Sequence, residues 1–191
     1  MKRKERDFVS LFNAFWYRDF PITKERTEIS RRALWTTHIA STIKKCADHL
    51  GLFTCFETGG KTDAVIEYAD TQKWAKVEWE WIQPHDEKVN EINKLAESAK
   101  IEDAETFIFV GYSNKSRIDE NISAIQAHWG KTSKPLIVFL VTFSFETKKR
   151  EFELLRTYLF KDGAHKMLRK QKALPWDVKG TKWQAQTSSS D

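Results

Sequence analysis

Cysteine is scarce in this sequence: Cys46 and Cys55 are the two cysteines among 191 residues. Two cysteines are too few for a disulfide framework or a metal cage, and no zinc-ligand spacing is present. The sequence therefore predicts a protein of a reducing, cytoplasmic setting.

Long apolar runs are also missing. The longest run, Pro135 to Val141, is far shorter than the roughly 20 residues that a membrane-spanning helix needs. No signal peptide and no internal repeat are visible, so we expect no membrane association. Gly59-Gly60 is not followed by the Gly-Lys-Ser or Gly-Lys-Thr of a P-loop, which excludes that class of nucleotide site.

Aromatic and charged residues are plentiful instead. Aromatic residues make up 13% of the chain, with eight Trp, and charged residues 31%. This composition and length are typical of one packed, soluble domain. The net charge of +5 favours polyanionic partners, because Lys and Arg release the counterions of a phosphate backbone. Many basic proteins bind no nucleic acid, so charge alone leaves that alternative open.

A β-hairpin with acidic residues is predicted between Thr62 and Trp81. Thr62 to Tyr68 and Trp74 to Trp81 are rich in β-branched and aromatic residues and flank a polar turn. The second strand alternates strictly between an apolar and a charged face. The apolar face carries Ala75, Val77, Trp79 and Trp81, and the charged face carries Lys76, Glu78 and Glu80.

The pairing register of this hairpin decides what its acids can do. A turn centred between Asp70 and Thr71 places Asp63 across from Glu78, and a shift of the centre by one residue places it across from Glu80. The register between these two places Asp63 across from Trp79, so Asp63 and the two glutamates lie on opposite faces of the sheet. Facing carboxylates repel each other unless a cation neutralises them, which predicts a divalent metal site. A solvated acidic face is the alternative.

The elements around the hairpin complete an α-β-β-β-α-β order. Buried strand patterns and helical periodicity alternate, and a strand-helix-strand unit of this length predicts a parallel crossover. The predicted helices are 27–50, closed by Gly51, 86–100 and 118–129, and the further strands are 52–57, 106–111 and 136–143.

Asp63 at the start of one strand, with Glu78-Trp79-Glu80 on the next, resembles the PD-(D/E)xK nuclease superfamily. In that superfamily an Asp opens the second core strand and an acid-x-Lys pair lies on the third. Glu80 stands at the usual lysine position, an acid-x-acid variant similar to a minority of restriction endonucleases. The resemblance covers residues 27–145. It implies an α/β, restriction-endonuclease-like mixed sheet with an antiparallel acidic hairpin, flanked by helices, plus an N-terminal helix.

The resemblance also implies a function and a set of site residues. The function is a metal-dependent endodeoxyribonuclease, and the alternative is an inactive nuclease-like fold that binds DNA or a protein. Mg²⁺ or Mn²⁺ is the implied cofactor, with DNA as partner and a homo-oligomer left open. The implied catalytic residues are Asp63, Glu78 and Glu80, the metal ligands are Asp63, Glu78 and Glu28, and the candidates for the missing lysine's role are Lys76, Lys88 and His85.

The two ends of the single predicted domain carry further expectations. Residues 1–20 form a predicted helical arm, residues 149–172 two C-terminal helices, and residues 184–191 a disordered tail. The second C-terminal helix is strongly basic and is predicted to contact the DNA backbone, with a solvated helix end as the alternative. Its DNA-binding residues are Lys166, Arg169, Lys170 and Lys172.

Overall fold

The computed structural model describes residues 1–23, 31–58, 62–84, 91–101, 103–146 and 149–182. In these ranges the chain forms one seven-stranded sheet and four helices. The helices are α1 (Arg3–Arg18), α2 (Arg32–His49), α3 (Glu91–Lys100) and α4 (Ile118–Trp129). The strands are β1 (Phe53–Thr58), β2 (Thr62–Glu67), β3 (Lys73–Trp79), β4 (Thr106–Asn114), β5 (Leu136–Glu146), β6 (Lys149–Lys161) and β7 (Ala164–Lys172).

The strands lie in the sheet in chain order, from β1 at one edge to β7 at the other. Strands β1, β2 and β3 are antiparallel, β3, β4 and β5 are parallel, and β5, β6 and β7 are antiparallel again. Helices α3 and α4 lie between consecutive parallel strands, because parallel neighbours need a crossover. The predicted α/β class, with a mixed sheet and an antiparallel hairpin, is confirmed.

Helices cover both faces of this sheet. On one face α1 and α2 pack against the parallel strands, and Phe12 of α1 stacks on Phe139 of β5 with ring centroids 3.7 Å apart. On the other face α3 and α4 pack, and Trp129 of α4 contacts Phe107 of β4. The predicted N-terminal helix is present, and it is part of the core because its aromatic face is buried.

Several predicted boundaries agree with the structure. Helix α4 runs from Ile118 to Trp129 as expected, and α2 closes at Gly51, whose φ of 68° suits a residue without Cβ. The predicted starts of the helices at residues 27 and 86, and the predicted tail at 184–191, lie outside the described residues. None of the helices in the described ranges is long and apolar enough to cross a membrane.

The two predicted C-terminal helices are wrong. Residues 149–161 and 164–172 are β6 and β7, which extend the sheet beyond β5. They are joined at Asp162 and Gly163, with φ of 53° and 78°, a two-residue hairpin turn of the kind that Asp-Gly favours. The helical periodicity of these residues did not decide their structure, because the edge of the buried strand β5 needs a hydrogen-bonding partner and β6 supplies it.

Candidate active site

The acidic hairpin has the register in which Asp63 faces Glu78. Ala64 of β2 pairs with Val77 of β3 in the antiparallel ladder, so Asp63, one residue earlier, lies opposite Glu78, one residue later. This is the register predicted from a turn centred between Asp70 and Thr71. The Asp63 Oδ2 atom also accepts a hydrogen bond of 2.8 Å from the backbone N–H of Trp79. Both carboxyl groups are therefore held on one face, at the end of the sheet where β2 begins and β3 ends.

Two more side chains, those of Glu91 and Lys94, extend this pair into a row of four interacting groups. We call this row of Asp63, Glu78, Glu91 and Lys94 the carboxyl chain. The Asp63 and Glu78 carboxyl groups are hydrogen-bonded, and Glu78 is also hydrogen-bonded to Glu91 of α3. The Glu91 carboxylate accepts from Lys94 Nζ at 2.5 Å, one helical turn further. Glu78, at the centre of the chain, is only 1% exposed. The side chains thus run from the buried Glu78, through the half-buried Asp63 and Glu91, to the exposed Lys94.

Burial and mutual repulsion set the protonation of this chain. Burial, followed by the charges of Asp63 and Glu91, raises the pKa of Glu78 from 4.5 to about 9. Burial also raises the pKa of Asp63, although its hydrogen bonds from Trp79 and Glu78 oppose the shift. The carboxylate of Glu91 raises the pKa of Lys94, which stays charged. At neutral pH Glu78 therefore holds a proton.

Glu91 is the member of this chain that the sequence interpretation missed. The helical pattern of α3 assigns its buried face and gives no role to an acid beside that face. The spacing of Glu91 and Lys94, three residues apart on one helix, was the available signal. It did not show that the pair would face Glu78, since this depends on how α3 packs on the sheet.

Glu80 does not join the carboxyl chain, contrary to the expected crowding of three acids from the hairpin. Strand β3 ends at Trp79, and the Glu80 carboxylate turns to accept from the backbone N–H groups of Trp81 and Ile82 at 2.6 and 3.2 Å. The same carboxylate lies 3.3 Å from the guanidinium group of Arg32. Its predicted catalytic role stays a prediction.

The metal and lysine candidates are only partly brought together. Glu28, Lys88 and His85 lie outside the described residues. Lys76 is buried and pairs with Asp103, and its Nζ atom also donates to Ser98. Within the described ranges no three His, Cys, Asp or Glu side chains are grouped as ligands of one ion. The predicted metal ligands are thus represented here by Asp63 and Glu78 alone.

A cavity of about 200 Å³ lies beside the carboxyl chain, between α2, α3 and the ends of β2 and β3. We call it the inner cavity. It adjoins a more open groove of about 560 Å³ between α2 and β1, and the two share Thr36, Asp63 and Trp79. Together they reach the size of a typical small-molecule site. The inner cavity is lined by Arg32, Trp35, Thr36, Ile39, Asp63, Trp79, Glu80, Trp81, Glu91, Lys94 and Tyr112.

The predicted DNA-binding residues lie on the opposite edge of the sheet. Lys166, Arg169, Lys170 and Lys172 are all exposed on β7, which is an edge strand and not a helix. Four strand spacings separate β3 from β7, about 19 Å in all. The structure therefore does not bring the basic residues and the carboxyl chain together.

DNA binding by this strand remains testable on its own. Changing Lys166, Arg169 and Lys170 together to Ala is expected to weaken binding of a labelled DNA duplex for any sequence. The slope of log K against log salt should fall by about 3, because each phosphate contact contributes about 1. Fluorescence anisotropy at several salt concentrations measures both effects. A matched triple variant of the exposed Arg3, Lys100 and Arg117 is the control, and equal slopes for the β7 variant and the parent protein would remove β7 from the interface.

Comparison with known proteins assigns no family. No family model matches the sequence, and no curated protein matches it. Among solved structures, the chain is similar to a carbon-nitrogen hydrolase from Helicobacter pylori G27, with 10% sequence identity and a TM-score of 0.41. The similarity covers 90% of this chain and 82% of the other.

These findings correct the resemblance drawn from the hairpin motif. No family model and no curated protein supports the PD-(D/E)xK superfamily. The superfamily assignment, the endodeoxyribonuclease function and its inactive nuclease-like alternative are therefore withdrawn. The motif misled because an acid followed by acid-x-acid is short and occurs on many strands. At this TM-score the neighbour itself assigns neither a family nor an activity, so function has to be inferred from the site.

Proposed function

We propose that this protein is a hydrolase whose active site is the carboxyl chain beside the inner cavity, with Asp63 and Glu78 as its acid–base pair. One observation carries the proposal: two interacting carboxyl groups from neighbouring strands lie at a cavity, with Asp63 in its wall and the buried Glu78 beside Asp63. Like charges at such short range cannot both ionise, so one group is kept as an acid and the other as a base. This division of roles suits hydrolysis.

Each group then has a defined task. The ionised Asp63 takes a proton from the attacking water as its oxygen bonds to the substrate. The protonated Glu78 does not line the cavity, so its proton reaches the leaving group through the carboxyl group of Asp63 as the scissile bond breaks. The hydrogen bond between the two carboxyl groups returns the proton from Asp63 to Glu78, so one water is consumed and the site is restored. Lys94, held by Glu91, moderates the negative charge of the pair.

A divalent cation suits the same pair, and we include Mg²⁺ or Mn²⁺ in the proposal. Mg²⁺ is often held by only one or two carboxylates and keeps several waters, so two acids are sufficient. When bound, the ion would polarise the scissile bond and lower the pKa of a bound water. Asp63 and Glu78 would hold it, and Glu78 would release its proton on binding because a ligating carboxylate must be ionised.

Asp63→Asn is expected to abolish hydrolysis and to weaken cation binding at least about tenfold, because it removes one of the two carboxyl groups that would hold the ion. The parent protein should release about one proton per bound ion at neutral pH, owing to the raised pKa of Glu78. Calorimetric titration with Mg²⁺ and Mn²⁺ in buffers of different ionisation enthalpy measures both quantities. A panel of chromogenic esters, amides and glycosides measures hydrolysis.

Asp119→Asn, on the exposed side of α4, makes the same change of charge away from the site and should leave both measurements unaltered. Hydrolysis at the parent rate by the Asp63→Asn variant would end the assignment of this site. Cation binding without coupled proton release would show that the ion lies elsewhere than on Glu78.

A further inference from the structure

The open groove beside the inner cavity differs from it in the character of its walls. The accessible surface of the groove is mainly apolar, whereas that of the inner cavity is mainly polar and includes five charged side chains. We call the larger space the outer groove. It is lined by Thr36, Thr37, Ala40, Ser41, Lys44, Phe56, Glu57, Asp63 and Trp79. Two adjoining spaces of opposite polarity suit the two ends of an amphiphilic molecule.

The outer groove is elongated along helix α2. The lining residues of α2 lie at positions 36, 37, 40, 41 and 44, which recur on one face of the helix. Eight residues of helix span about 12 Å. The opposite wall is the edge strand β1, whose Phe56 pairs with the core residue Ala64 and therefore shares its face of the sheet, the face that α2 covers. A groove of this length suits an extended chain better than a compact group.

The outer groove is continuous with the proposed active site. Asp63 and Trp79 line both spaces, and the backbone N–H of Trp79 holds the Asp63 carboxyl group at the junction. Phe56, in the groove wall, is 39% exposed, which leaves an apolar ring open to a ligand. Exposed apolar surface of this kind commonly marks a binding site. The continuity with Asp63 favours a substrate as the occupant, because a substrate has to reach the catalytic group from its binding site.

We infer that the outer groove holds the extended apolar chain of the substrate and that the inner cavity holds its small polar head group, with the scissile bond between them at Asp63. The inference rests on the proposed hydrolase function. The inner cavity offers hydrogen-bond donors as well as acceptors to a polar head group, from Arg32, Glu80, Glu91 and Lys94. The substrate class is then an ester or amide of an aliphatic acyl chain. Hydrolysis consumes one water and releases the chain as a carboxylic acid and the head group as an alcohol or amine.

The test compares two probes that share a polar head group and differ in chain length, N-octanoylethanolamine and N-acetylethanolamine. The octanoyl probe should bind the parent protein at least about 50-fold more tightly, the value of three buried methylene groups. Ligand-observed NMR titration measures both affinities. The preference should survive in Asp63→Asn, because the chain contacts the apolar walls. Loss of hydrolysis and loss of chain binding are therefore separate results, and the first can fail without the second.

Two variants of the groove wall have matched controls. Phe56→Ser removes one apolar wall and should weaken binding of the octanoyl probe about fivefold or more. Phe53→Ser is its control, because Phe53 is 61% exposed on the same strand and does not line the groove. Ala40→Trp fills the groove from α2 and should reduce the preference for the octanoyl probe to less than about threefold. Ala33→Trp, at an exposed position of α2 outside the groove, should leave the preference unchanged.

Four results would overturn the inference. Equal affinities for the two probes would show that no chain is bound, and equal effects of Phe56→Ser and Phe53→Ser would show that the chain lies elsewhere. The exposed position of Phe56 keeps this comparison usable even if Ala40→Trp does not fold. A parent dimer in sedimentation that Phe56→Ser dissociates would assign the groove to a second copy of the chain. Hydrolysis of chromogenic acyl esters at rates that do not rise with chain length would remove the groove from the substrate site.

Discussion

Glu78→Gln is expected to remove most of the stability loss that the parent protein suffers between pH 6.5 and about 9. Glu78 has a pKa of about 9 in the folded protein against 4.5 when unperturbed, so the folded state keeps a proton that the unfolded chain releases. This stabilisation is complete below the unfolded pKa and is lost as pH rises through the folded pKa. The expected slope is up to about 1.4 kcal/mol per pH unit.

Urea denaturation at a series of pH values measures this slope. Gln keeps the shape and hydrogen bonding of a protonated Glu but cannot ionise. The free energy of unfolding of the variant should therefore change little with pH where that of the parent protein falls. Glu97→Gln is the matched control, because its side chain is 70% exposed on the same helix that carries Glu91. An unchanged slope in Glu78→Gln would mean that the carboxyl chain does not hold a proton.

The second large effect comes from His38 and has the opposite sign. This side chain is 4% exposed and lies among the rings of Trp16, Phe20 and Trp35, with its Nε2 atom unpartnered among the described residues. Burial lowers the pKa of His38 from 6.5 to about 4. The folded state therefore excludes a proton that the unfolded chain accepts. Stability from this residue is complete above pH 6.5 and is lost as pH falls towards 4.

Between pH 4.5 and 6.5 the contributions of Glu78 and His38 to the free energy of unfolding change with pH in opposite directions and nearly cancel. The free energy of unfolding of the parent protein should therefore depend little on pH in this window. Glu78→Gln should lose up to about 1.4 kcal/mol per pH unit on acidification, and adding His38→Phe should make it level again. His128→Gln, on the exposed side of α4, is the control. Denaturation curves that are level in Glu78→Gln alone would show that His38 is not held neutral.

The acidic hairpin was predictable because its information is local. Strict alternation over Ala75 to Trp81 assigns the two faces of β3, and the polar turn limits the register to three choices, of which the structure has the one that pairs Asp63 with Glu78. Helix α4 and strands β4 and β5 were predicted for the same reason, as each has a consistent period over its own length. The C-terminal hairpin was within reach too, since Asp162-Gly163 is a recognised turn pair.

The chemistry of the site was not local, and three of its features show why. Glu91 reaches Glu78 only because α3 packs across the sheet at that point. The pKa of Glu78 depends on how much protein covers it, which no single strand pattern reports. Tyr112 reads as an ordinary buried strand residue until the cavity beside its ring is seen.

Alternation, turn residues and composition were thus enough to predict the α/β class and the acidic hairpin, with the pairing of Asp63 and Glu78 as one of three possible registers. Contacts between segments far apart in the chain decided the rest: the strand form of residues 149–172, the place of Glu91, the turning of Glu80 towards Arg32, and the distance of β7 from the acids. The physical reason is that period and turn chemistry act over a few residues. Burial, electrostatic coupling and cavity shape arise only when helices and strands pack together.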